Sequence, residues 1–264
     1  MLREAIAALT TPATRYARRL GYVHEGIAIE ARFRRCYTDW LPHIGRCHKS
    51  ILAAGLACPR RDRVVVLGSG PLCDIPLAEL AGIFTEVVLI DVFHPPRARK
   101  LMARFSNVVA IEHDLLGQEF GVSTDDVDAR LANWRQRTGA VDLVVSANLL
   151  AQLPVVPMAS RLSRDLLARD VDAQTWSDAV MRAHIADLAA GPGQACLISE
   201  WRRHWFDRDG AEIDQESPLT GLSLPEPSES WRWVVAPPGE LPGGASLEVD
   251  VGLFLLKAPR ATGP

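Results

Sequence analysis

The sequence predicts an α/β protein with a doubly wound, mostly parallel seven-stranded sheet, a C-terminal antiparallel hairpin and an N-terminal helical cap. Three observations predict this fold. Residues 63–91 have the pattern strand, glycine turn, helix, strand. Three more short apolar runs follow, with helical segments between them. Near the end of the chain, two strands follow each other without a helix. Parallel strands need crossover connections, whereas an antiparallel pair needs only a turn.

The first part of the chain predicts helices. A helix begins at Ala5, and Thr11-Pro12 breaks it. Residues 26–40 form a second predicted helix and residues 48–57 a third, with Pro42 and Gly45 bending the chain between them. We therefore expect residues 1–60 to form a helical cap and residues 61–264 to form the sheet domain.

Five parallel strands are predicted from short β-branched runs, of the kind that is buried on both faces of a sheet. They are residues 64–67, 87–90, 108–111, 143–145 and 195–199. The helices predicted between them are residues 77–82, 96–105, 125–137 and 174–189. After a long predicted loop at residues 207–230, residues 231–236 and 247–256 form the hairpin.

The glycine turn after the first strand, Gly68-Ser69-Gly70, predicts a Rossmann-like nucleotide site. Asp91 ends the second strand 21 positions after Gly70, close to the spacing of about 20 at which an acid reaches a ribose hydroxyl. Pro71 has no amide to give a phosphate, and Asp74 would repel one. No Lys or Arg lies between residues 64 and 85. The turn thus favours a cationic nucleoside without phosphates, which S-adenosylmethionine is. The alternative is a degenerate unit that binds nothing.

Composition and cysteine content bound the protein class. The chain is 48% hydrophobic and 23% charged, which is ordinary for a soluble protein. We find no signal-like block, and no apolar run approaches the roughly 20 residues that span a bilayer. We therefore expect a cytoplasmic protein with no membrane partner.

The five cysteines argue against a disulfide framework. A zinc site is conceivable, but its spacing matches no ligand pattern, so we expect buried thiols and no metal. The residues of that site would be Cys36, His43, Cys47 and His48.

Charge is unevenly distributed along the chain. Residues 1–63 hold 12 Lys and Arg against 5 Asp and Glu, whereas the rest of the chain is acidic. This basic segment either attracts an anionic partner or is a solvated helical face, which we favour. It contains no dense basic block with interleaved aromatic residues, so a nucleic-acid partner is not indicated.

These motifs together resemble those of the class I S-adenosylmethionine-dependent methyltransferases over residues 60–256. The resemblance rests on Leu67-Gly68-Ser69-Gly70, on Asp91 in LIDVF, on Asp114 in IEHDL and on Asn148 in VDLVVSANLLAQLP. It implies that Asp91 holds the ribose hydroxyls, that Asp114 accepts from the adenine amino group, and that Asn148 lies beside the methionyl part. The cofactor-binding residues so implied are Gly68, Ser69, Gly70, Asp74, Asp91, Val92, His113, Asp114, Leu115, Asn148 and Leu149.

The chain also departs from the family pattern. Val66 stands where the family commonly has an acid, and Leu72 where it commonly has a third glycine. Asp74 then becomes a possible replacement acid for the cofactor's amino group. The string GSGPL is similar to the turn of nicotianamine-synthase-type enzymes, which transfer the aminocarboxypropyl group of the same cofactor.

The acceptor site has weaker signals. Methyl transfer mainly requires positioning, and the sequence shows no catalytic triad; Ser146 lacks the G-x-S-x-G setting of a hydrolase. No catalytic residue is therefore predicted. Four tryptophans are expected to pack at the hairpin and the sheet edge rather than stack on a ligand: Trp201, Trp205, Trp231 and Trp233. Candidates for binding a small-molecule acceptor are Tyr37, His43, His48, Gln152, Glu200 and Trp201.

Three hypotheses follow from the sequence. The first is a methyltransferase that acts on a small molecule. The second is an aminocarboxypropyl transferase that uses the same cofactor. The third is a non-catalytic module that binds the cofactor or acts through its helical cap.

Overall fold

The computed structural model of the chain describes residues 10–116, 131, 133–162, 173–219 and 221–256. Eight α-helices are found in this part of the chain. They are α1 (Arg15–Leu20), α2 (Tyr22–Arg35), α3 (Tyr37–Ala57), α4 (Leu77–Ile83), α5 (Pro96–Met102), α6 (Trp134–Thr138), α7 (Val155–Leu162) and α8 (Ala173–Ala190). None of these helices is both long and apolar enough to cross a bilayer.

The strands form one mixed sheet. They are β1 (Arg63–Leu67), β2 (Glu86–Asp91), β3 (Val108–Glu112), β4 (Leu143–Ala147), β5 (Gln194–Phe206), β6 (Glu212–Glu216), β7 (Glu229–Ala236) and β8 (Ser246–Leu256). Their order is β3-β2-β1-β4-β5-β8-β7, and β6 pairs with β5. Strands β1 to β5 are parallel, and β8 pairs antiparallel with both β5 and β7. The doubly wound sheet with a C-terminal hairpin is therefore confirmed.

The core lies on both faces of the sheet because side chains alternate along each strand. On β1, Val64 and Val66 face the side covered by α3, α4 and α5. Val65 points to the other face, where Trp134 of α6 and Trp176 of α8 are buried. A βαβ crossover places helices on the two faces in this way. The carboxyl ends of β1, β2 and β4 consequently meet at one edge.

Helices α2 and α3 differ from the prediction. The predicted helix at residues 26–40 is divided at Cys36, and the predicted bend at Pro42 and Gly45 is wrong because α3 continues through both residues. Pro42 lies in the second turn, where its missing N–H removes one hydrogen bond. The burial of Ile51 and other residues of α3 against the sheet offsets this cost.

Two strands also differ from the prediction. Strand β3 is the edge strand and is only half-buried, with Val109 40% exposed, so the prediction that it is buried on both faces was wrong. Residues 212–216 form β6 rather than part of a loop, and β5 continues to Phe206 to pair with it. Strand β6 is fully exposed and rich in acids, and it carries little hydrophobic signal.

Some predicted segments lie outside the described residues. These are the helix that begins at Ala5 and most of the helix predicted at residues 125–137, of which α6 is the described end. The five cysteines are all described, and all are free thiols. The division into a cap of residues 1–60 and a sheet domain of residues 61–264 remains a prediction.

Candidate functional site

A cavity of about 310 Å³ lies at the carboxyl edge of the parallel strands. Its walls come from the turns after β1, β2, β3 and β4 on one side, and from α2, α3 and β7 on the other. All eleven residues predicted to bind the cofactor line this cavity. Open parallel sheets bind ligands at this edge, where the strand order reverses around β1 and β4.

The glycine turn is held by its own hydrogen bonds. Ser69 N donates to Ile90 O (3.2 Å), and Leu72 N donates to Ser69 O (3.1 Å). Gly70 N donates to Asp91 Oδ2 (2.7 Å), while Pro71 has no N–H. The backbone donors of residues 69–72 are therefore either absent or already bonded, and none is left to bind a phosphate.

Left-handed backbone explains the composition of this turn. Gly68 has φ 63°, and a Cβ there would lie 2.6 Å from Leu149 Cδ1. Leu72 has φ 59° although it is not glycine. It occupies the position where a third glycine was expected from the family resemblance, and it keeps the conformation that glycine adopts easily. Its side chain is buried, which offsets the strain of this conformation.

Asp91 anchors the turn to the end of β2. Burial raises the pKa of this carboxyl group from 3.8 to about 6, and the N–H groups of Gly70, Phe93 and Val92 oppose that shift. The carboxylate is therefore ionised at neutral pH but costly to keep so. An ionised acid in a cavity is suited to accept hydrogen bonds from ribose hydroxyls, as predicted from its position.

Asp114 is already bonded within the protein. Its Oδ2 accepts from the hydroxyl groups of Tyr16 and Tyr22, the second at 3.4 Å. Its Oδ1 accepts from Leu116 N at 2.9 Å. A carboxylate offers about four acceptor positions, so one remains for a ligand. Burial raises the pKa of Asp114, and the hydroxyl groups of both tyrosines oppose that shift.

The cavity is lined by more acidic than basic side chains. Five acids line it: Glu25, Asp74, Asp91, Asp114 and Glu200. Among its described lining residues, Arg32 is the one Lys or Arg, and Arg32 Nε donates to Glu240 Oε1 at 3.3 Å. A cavity of this charge favours a cation over a phosphate.

A chain of polar contacts connects the β4 turn to α3 and β7. Trp231 Nε1 donates to His43 Nδ1 (3.1 Å), and His43 Nε2 lies 3.0 Å from the side-chain amide of Asn148. The same amide lies 2.6 Å from Asp74 Oδ2. Asn148 has φ 53°, so the chain turns sharply after β4 and brings this side chain to the cavity.

One group of side chains in the described residues has the composition of a metal site. Ligand atoms of His43, Cys47 and Asp74 lie within 4.8 Å of one another. However, Trp231 donates to His43 Nδ1, so the neutral ring carries its proton on Nε2, the nitrogen that faces the group. A protonated nitrogen has no lone pair for a metal. The hydrogen bond therefore opposes coordination.

The predicted acceptor residues divide into two groups. His43, Gln152 and Glu200 line the cavity. The remaining three, Tyr37, His48 and Trp201, do not line it. Tyr37 is 49% exposed and packs edge-on against Phe33. Glu200 lies beside Arg203 Nη2 (2.5 Å) and accepts from Gln152 Nε2 (3.3 Å), so its charge is already paired.

Sequence reasoning missed several aromatic residues of the cavity. Trp40 and Trp233 both line it, and their rings meet edge to face at 5.0 Å. Trp233 also stacks on His43 at 3.9 Å. Trp233 therefore packs, as expected, and also lines the cavity; that it binds no ligand stays a prediction. The spacing of the two tryptophans could have indicated this position. Trp231 and Trp233 lie two positions apart on one strand, so both side chains are on the face that contacts α3.

Tyr22 and Arg32 were missed as well. Both come from α2, and both line the cavity. No local pattern distinguishes them from other residues of an amphipathic helix, and only the packing of α2 over the β3 turn places Tyr22 beside Asp114. The site therefore has a charged half on the strand turns and an aromatic half on α3 and β7.

Comparison with known proteins gives distant structural matches. No protein-family model and no curated protein sequence matches the chain. The N-methyltransferase NodS from Bradyrhizobium japonicum WM9 is 16% identical, with 80% of this chain and 86% of that chain covered and a TM-score of 0.40. The 1,6-didemethyltoxoflavin-N1-methyltransferase from Burkholderia thailandensis is 14% identical, with 86% and 89% covered and a TM-score of 0.39.

A third match is an O-methyltransferase family protein from Burkholderia thailandensis. It is 13% identical, with 98% of this chain and 68% of that chain covered, and its TM-score is 0.40. All three of these proteins are described as methyltransferases. Similarity at this level carries no argument about activity, which must be argued from the site.

Proposed function

We propose that the protein is an S-adenosylmethionine-dependent methyltransferase that acts on a small-molecule acceptor. The proposal rests on one observation: the backbone N–H groups of residues 69–72 in the glycine turn are all hydrogen-bonded within the protein. Residues 69–72 offer no N–H to a phosphate, because Asp91 and backbone carbonyl groups accept every one that exists. A nucleotide ligand of this fold must therefore be held without phosphate contacts at the turn.

The charge of the cavity supports the same cofactor. The ligand must be a nucleoside that tolerates Asp74, Asp91 and Asp114 close by. S-adenosylmethionine carries a sulfonium and an ammonium group, and it supplies an electrophilic methyl group when bound. In the proposed arrangement Asp91 binds the ribose hydroxyls, and Asp74 with Asn148 binds the amino-acid part. His113 and Leu115 line the end of the cavity next to Asp114, where the base would lie.

The aromatic half of the cavity would bind the acceptor. Trp40 and Trp233 offer flat apolar surfaces, and His43 and Gln152 offer polar atoms near the β4 turn. Such a surface excludes water and holds an acceptor against the methyl group, which is most of what this transfer requires. We assign no general base, because an acceptor that is already deprotonated needs none.

Calorimetry tests the proposal directly. Purified protein should bind S-adenosylmethionine and S-adenosylhomocysteine saturably and should not bind NAD⁺ or ATP. Saturable binding of NAD⁺ or ATP in the same cavity would refute the claim that the glycine turn has no N–H group for a phosphate. Absence of any binding of the two sulfur nucleosides would leave only the hypothesis of a module without a cofactor.

Product analysis distinguishes the two transferase hypotheses. S-adenosylhomocysteine marks methyl transfer, and methylthioadenosine marks aminocarboxypropyl transfer, which the GSGPL turn favours. Binding without turnover of any acceptor would favour the non-catalytic module.

The five free thiols also support our expectation that the protein works in the reducing cytoplasm.

A further inference from the structure

The hydrogen-bond chain beside the cavity fixes the proton of His43. Trp231 Nε1–H donates to Nδ1, and an indole nitrogen is never an acceptor, so Nδ1 must present its lone pair. His43 is 2% exposed, and burial lowers its pKa to about 3, so the ring is neutral. A neutral ring with a lone pair on Nδ1 carries its single proton on Nε2.

The proton on Nε2 has one acceptor within reach. Cys47 Sγ lies 3.4 Å from Nε2 and 3.9 Å from Nδ1, so the sulfur sits beside the ring rather than in line with the N–H bond. The side-chain amide of Asn148 lies 3.0 Å from Nε2. Two N–H groups facing each other would repel. The amide atom that faces His43 must therefore be its oxygen, since the two ends of an amide are distinguished only by their hydrogen bonds.

The same amide atom determines the state of Asp74. It lies 2.6 Å from Asp74 Oδ2. Two oxygens can approach this closely only with a proton between them, and 2.6 Å is within the usual range for O–H···O. His43 has already used its one proton, and an amide oxygen has none. The proton therefore belongs to Asp74.

We propose that Asp74 is a neutral carboxylic acid in the ligand-free protein at pH 7, and that it releases this proton when a ligand's ammonium group binds beside it. The first half stands on the hydrogen-bond chain alone. The second half rests on the proposed function, because it takes the ammonium group from the cofactor's amino-acid part. The proton passes to the solvent, and a neutral acid is replaced by an ion pair with the same net charge.

The groups around Asp74 are consistent with this proposal. From α3 it faces His43, Cys47 and His48; from its own turn it faces Cys73; and from the β4 turn it faces Asn148. Burial raises the pKa of Asp74, and its own backbone N–H and the charge of His48 oppose that shift. An N–H donated by Asn148 would oppose it too, but the amide offers none to Asp74 when its oxygen faces the carboxyl group. Burial also raises the pKa of both thiols, which therefore stay uncharged. None of these neighbours supplies the fixed cation that would keep Asp74 ionised.

Infrared spectroscopy tests the first half without any ligand. The wild-type spectrum at pH 7 should contain a carboxylic-acid C=O band that Asp74→Asn removes. The matched control is Asp209→Asn, since Asp209 is a 77% exposed loop carboxylate and its replacement should remove no such band. If wild type and Asp74→Asn show no difference in this band, the proposal is wrong. Should Asp74→Asn fail to fold, ¹³C-labelled aspartate in the wild-type protein reports the same carboxyl group by NMR.

Calorimetry in two buffers of different ionisation enthalpy tests the second half. Wild-type protein should release about one proton for each S-adenosylmethionine bound at pH 7. Its affinity should therefore increase about tenfold for each unit by which the pH is raised, up to the pKa of the ammonium group, roughly 7.7–8.0. Asp74→Asn should still bind, more weakly, and release none. Binding by wild type without proton release would overturn the second half. Failure of the wild type to bind would refute the proposed function and leave the infrared result standing.

Trp231→Phe separates the hydrogen-bond chain from the simple burial of Asp74. This change removes the N–H that fixes the tautomer of His43 but keeps an aromatic ring in place. The ring can then place its proton on Nδ1 and accept from the amide of Asn148, which leaves Asp74 free to ionise. The carboxylic-acid band should therefore weaken in Trp231→Phe. An unchanged band would show that the chain does not control the proton, contrary to the proposal.

Discussion

Asp91 illustrates how one side chain can support a site and oppose the stability of the fold. Its Oδ2 accepts from Gly70 N at 2.7 Å, which closes the glycine turn, and the N–H groups of Val92 and Phe93 also hydrogen-bond to this carboxylate. A carboxylate offers about four acceptor positions, so one remains for a ligand. Burial raises its pKa, so the ionised group costs free energy when no ligand is bound. We expect the affinity for the cofactor and the stability of the ligand-free protein to respond in opposite directions to its removal.

Asp91→Asn should weaken binding of S-adenosylmethionine by about 1–3 kcal/mol, because charge-assisted hydrogen bonds to the ribose are lost. The free energy of unfolding of the ligand-free protein at pH 7 should not fall. Calorimetry and urea denaturation measure the two effects. Asp209→Asn, on the exposed loop, is the control and should change neither. Unchanged affinity in a folded Asp91→Asn variant would contradict the assignment.

The pH dependence of stability follows from the same group. The pKa of Asp91 is 3.8 ordinarily and about 6 in the folded protein, so between these values the folded state binds more protons than the unfolded state. Its contribution to stability should therefore decrease as pH rises from 3.8 to about 6, by about 1–3 kcal/mol. Urea denaturation across this range should show a larger decrease for wild type than for Asp91→Asn. Parallel pH curves for the two proteins would refute this account.

Single residues also show which positions and contacts can be predicted from the sequence. The position of Asp91 followed from the spacing between a glycine turn and the end of the next strand. The partners of Asp114 did not, because Tyr16 is 98 positions away along the chain. No local pattern encodes a contact that depends on how α1 and α2 lie over the β3 turn. Side-chain pairs of this kind need the tertiary structure.

At the scale of elements, α1 and α2 are joined to the sheet edge through Asp114. The hydroxyl groups of Tyr16 and Tyr22, one from each helix, converge on a single carboxylate oxygen. Around them, Ala17, Val23 and Phe93 form a small apolar cluster of their own, separate from the main core. One polar contact from each helix therefore lies at the end of the cavity predicted to hold the base.

Tyr16→Phe should loosen these helices. The change removes one hydrogen bond from a buried carboxylate, which costs about 1–3 kcal/mol. Limited proteolysis should then cleave residues 10–35 faster, and the affinity for S-adenosylmethionine should fall. The control is Tyr37→Phe, because the ring of Tyr37 is half-exposed and lies outside the cavity. Equal proteolysis rates for both variants would contradict the role of Tyr16.

Helix α3 shows why helix boundaries were only partly predictable. Proline and glycine are strong local signals for a break, and they predicted one at Pro42 and Gly45. The buried side of α3 is long, and packing of residues such as Ile51 against the sheet outweighs one lost hydrogen bond. The break occurs at Cys36 instead, where no proline or glycine marks it. Tertiary packing thus overrides local propensity here.

At the scale of the whole molecule, the helices of residues 15–57 contact the rest of the chain in two different ways. Helix α2 lines the cavity and α1 contacts it through Tyr16 and Asp114, whereas α3 lines the cavity and also packs on β4, β5 and β7 as part of the core of one sheet face. The fold of the sheet was predictable because strands β1 to β5 each contain a short apolar run that is rich in β-branched residues. The walls of the cavity were harder to predict, because the segments that form them are distant from one another in the sequence.

Truncation tests how separable the predicted cap is. A chain that begins at Tyr37 should unfold cooperatively but bind S-adenosylmethionine weakly, because the cover over Asp114 is lost. A chain that begins at Arg61 should fail to fold, because the buried face of α3 on the sheet is removed. Circular dichroism and urea denaturation measure both. A stable, cooperatively unfolding chain from Arg61 would instead support a cap of residues 1–60.

The hairpin has a consequence for the order of assembly. Among the described strands, β7 pairs with β8 alone, and β8 follows it in the chain. The tryptophans of β7 therefore cannot take their places until the last described strand has paired with β5. Affinity for the acceptor should thus appear late on the ribosome, after the sheet has been completed. An immature chain would have the strand turns of the proposed cofactor site without Trp231 and Trp233 in place, and we expect it not to bind the acceptor.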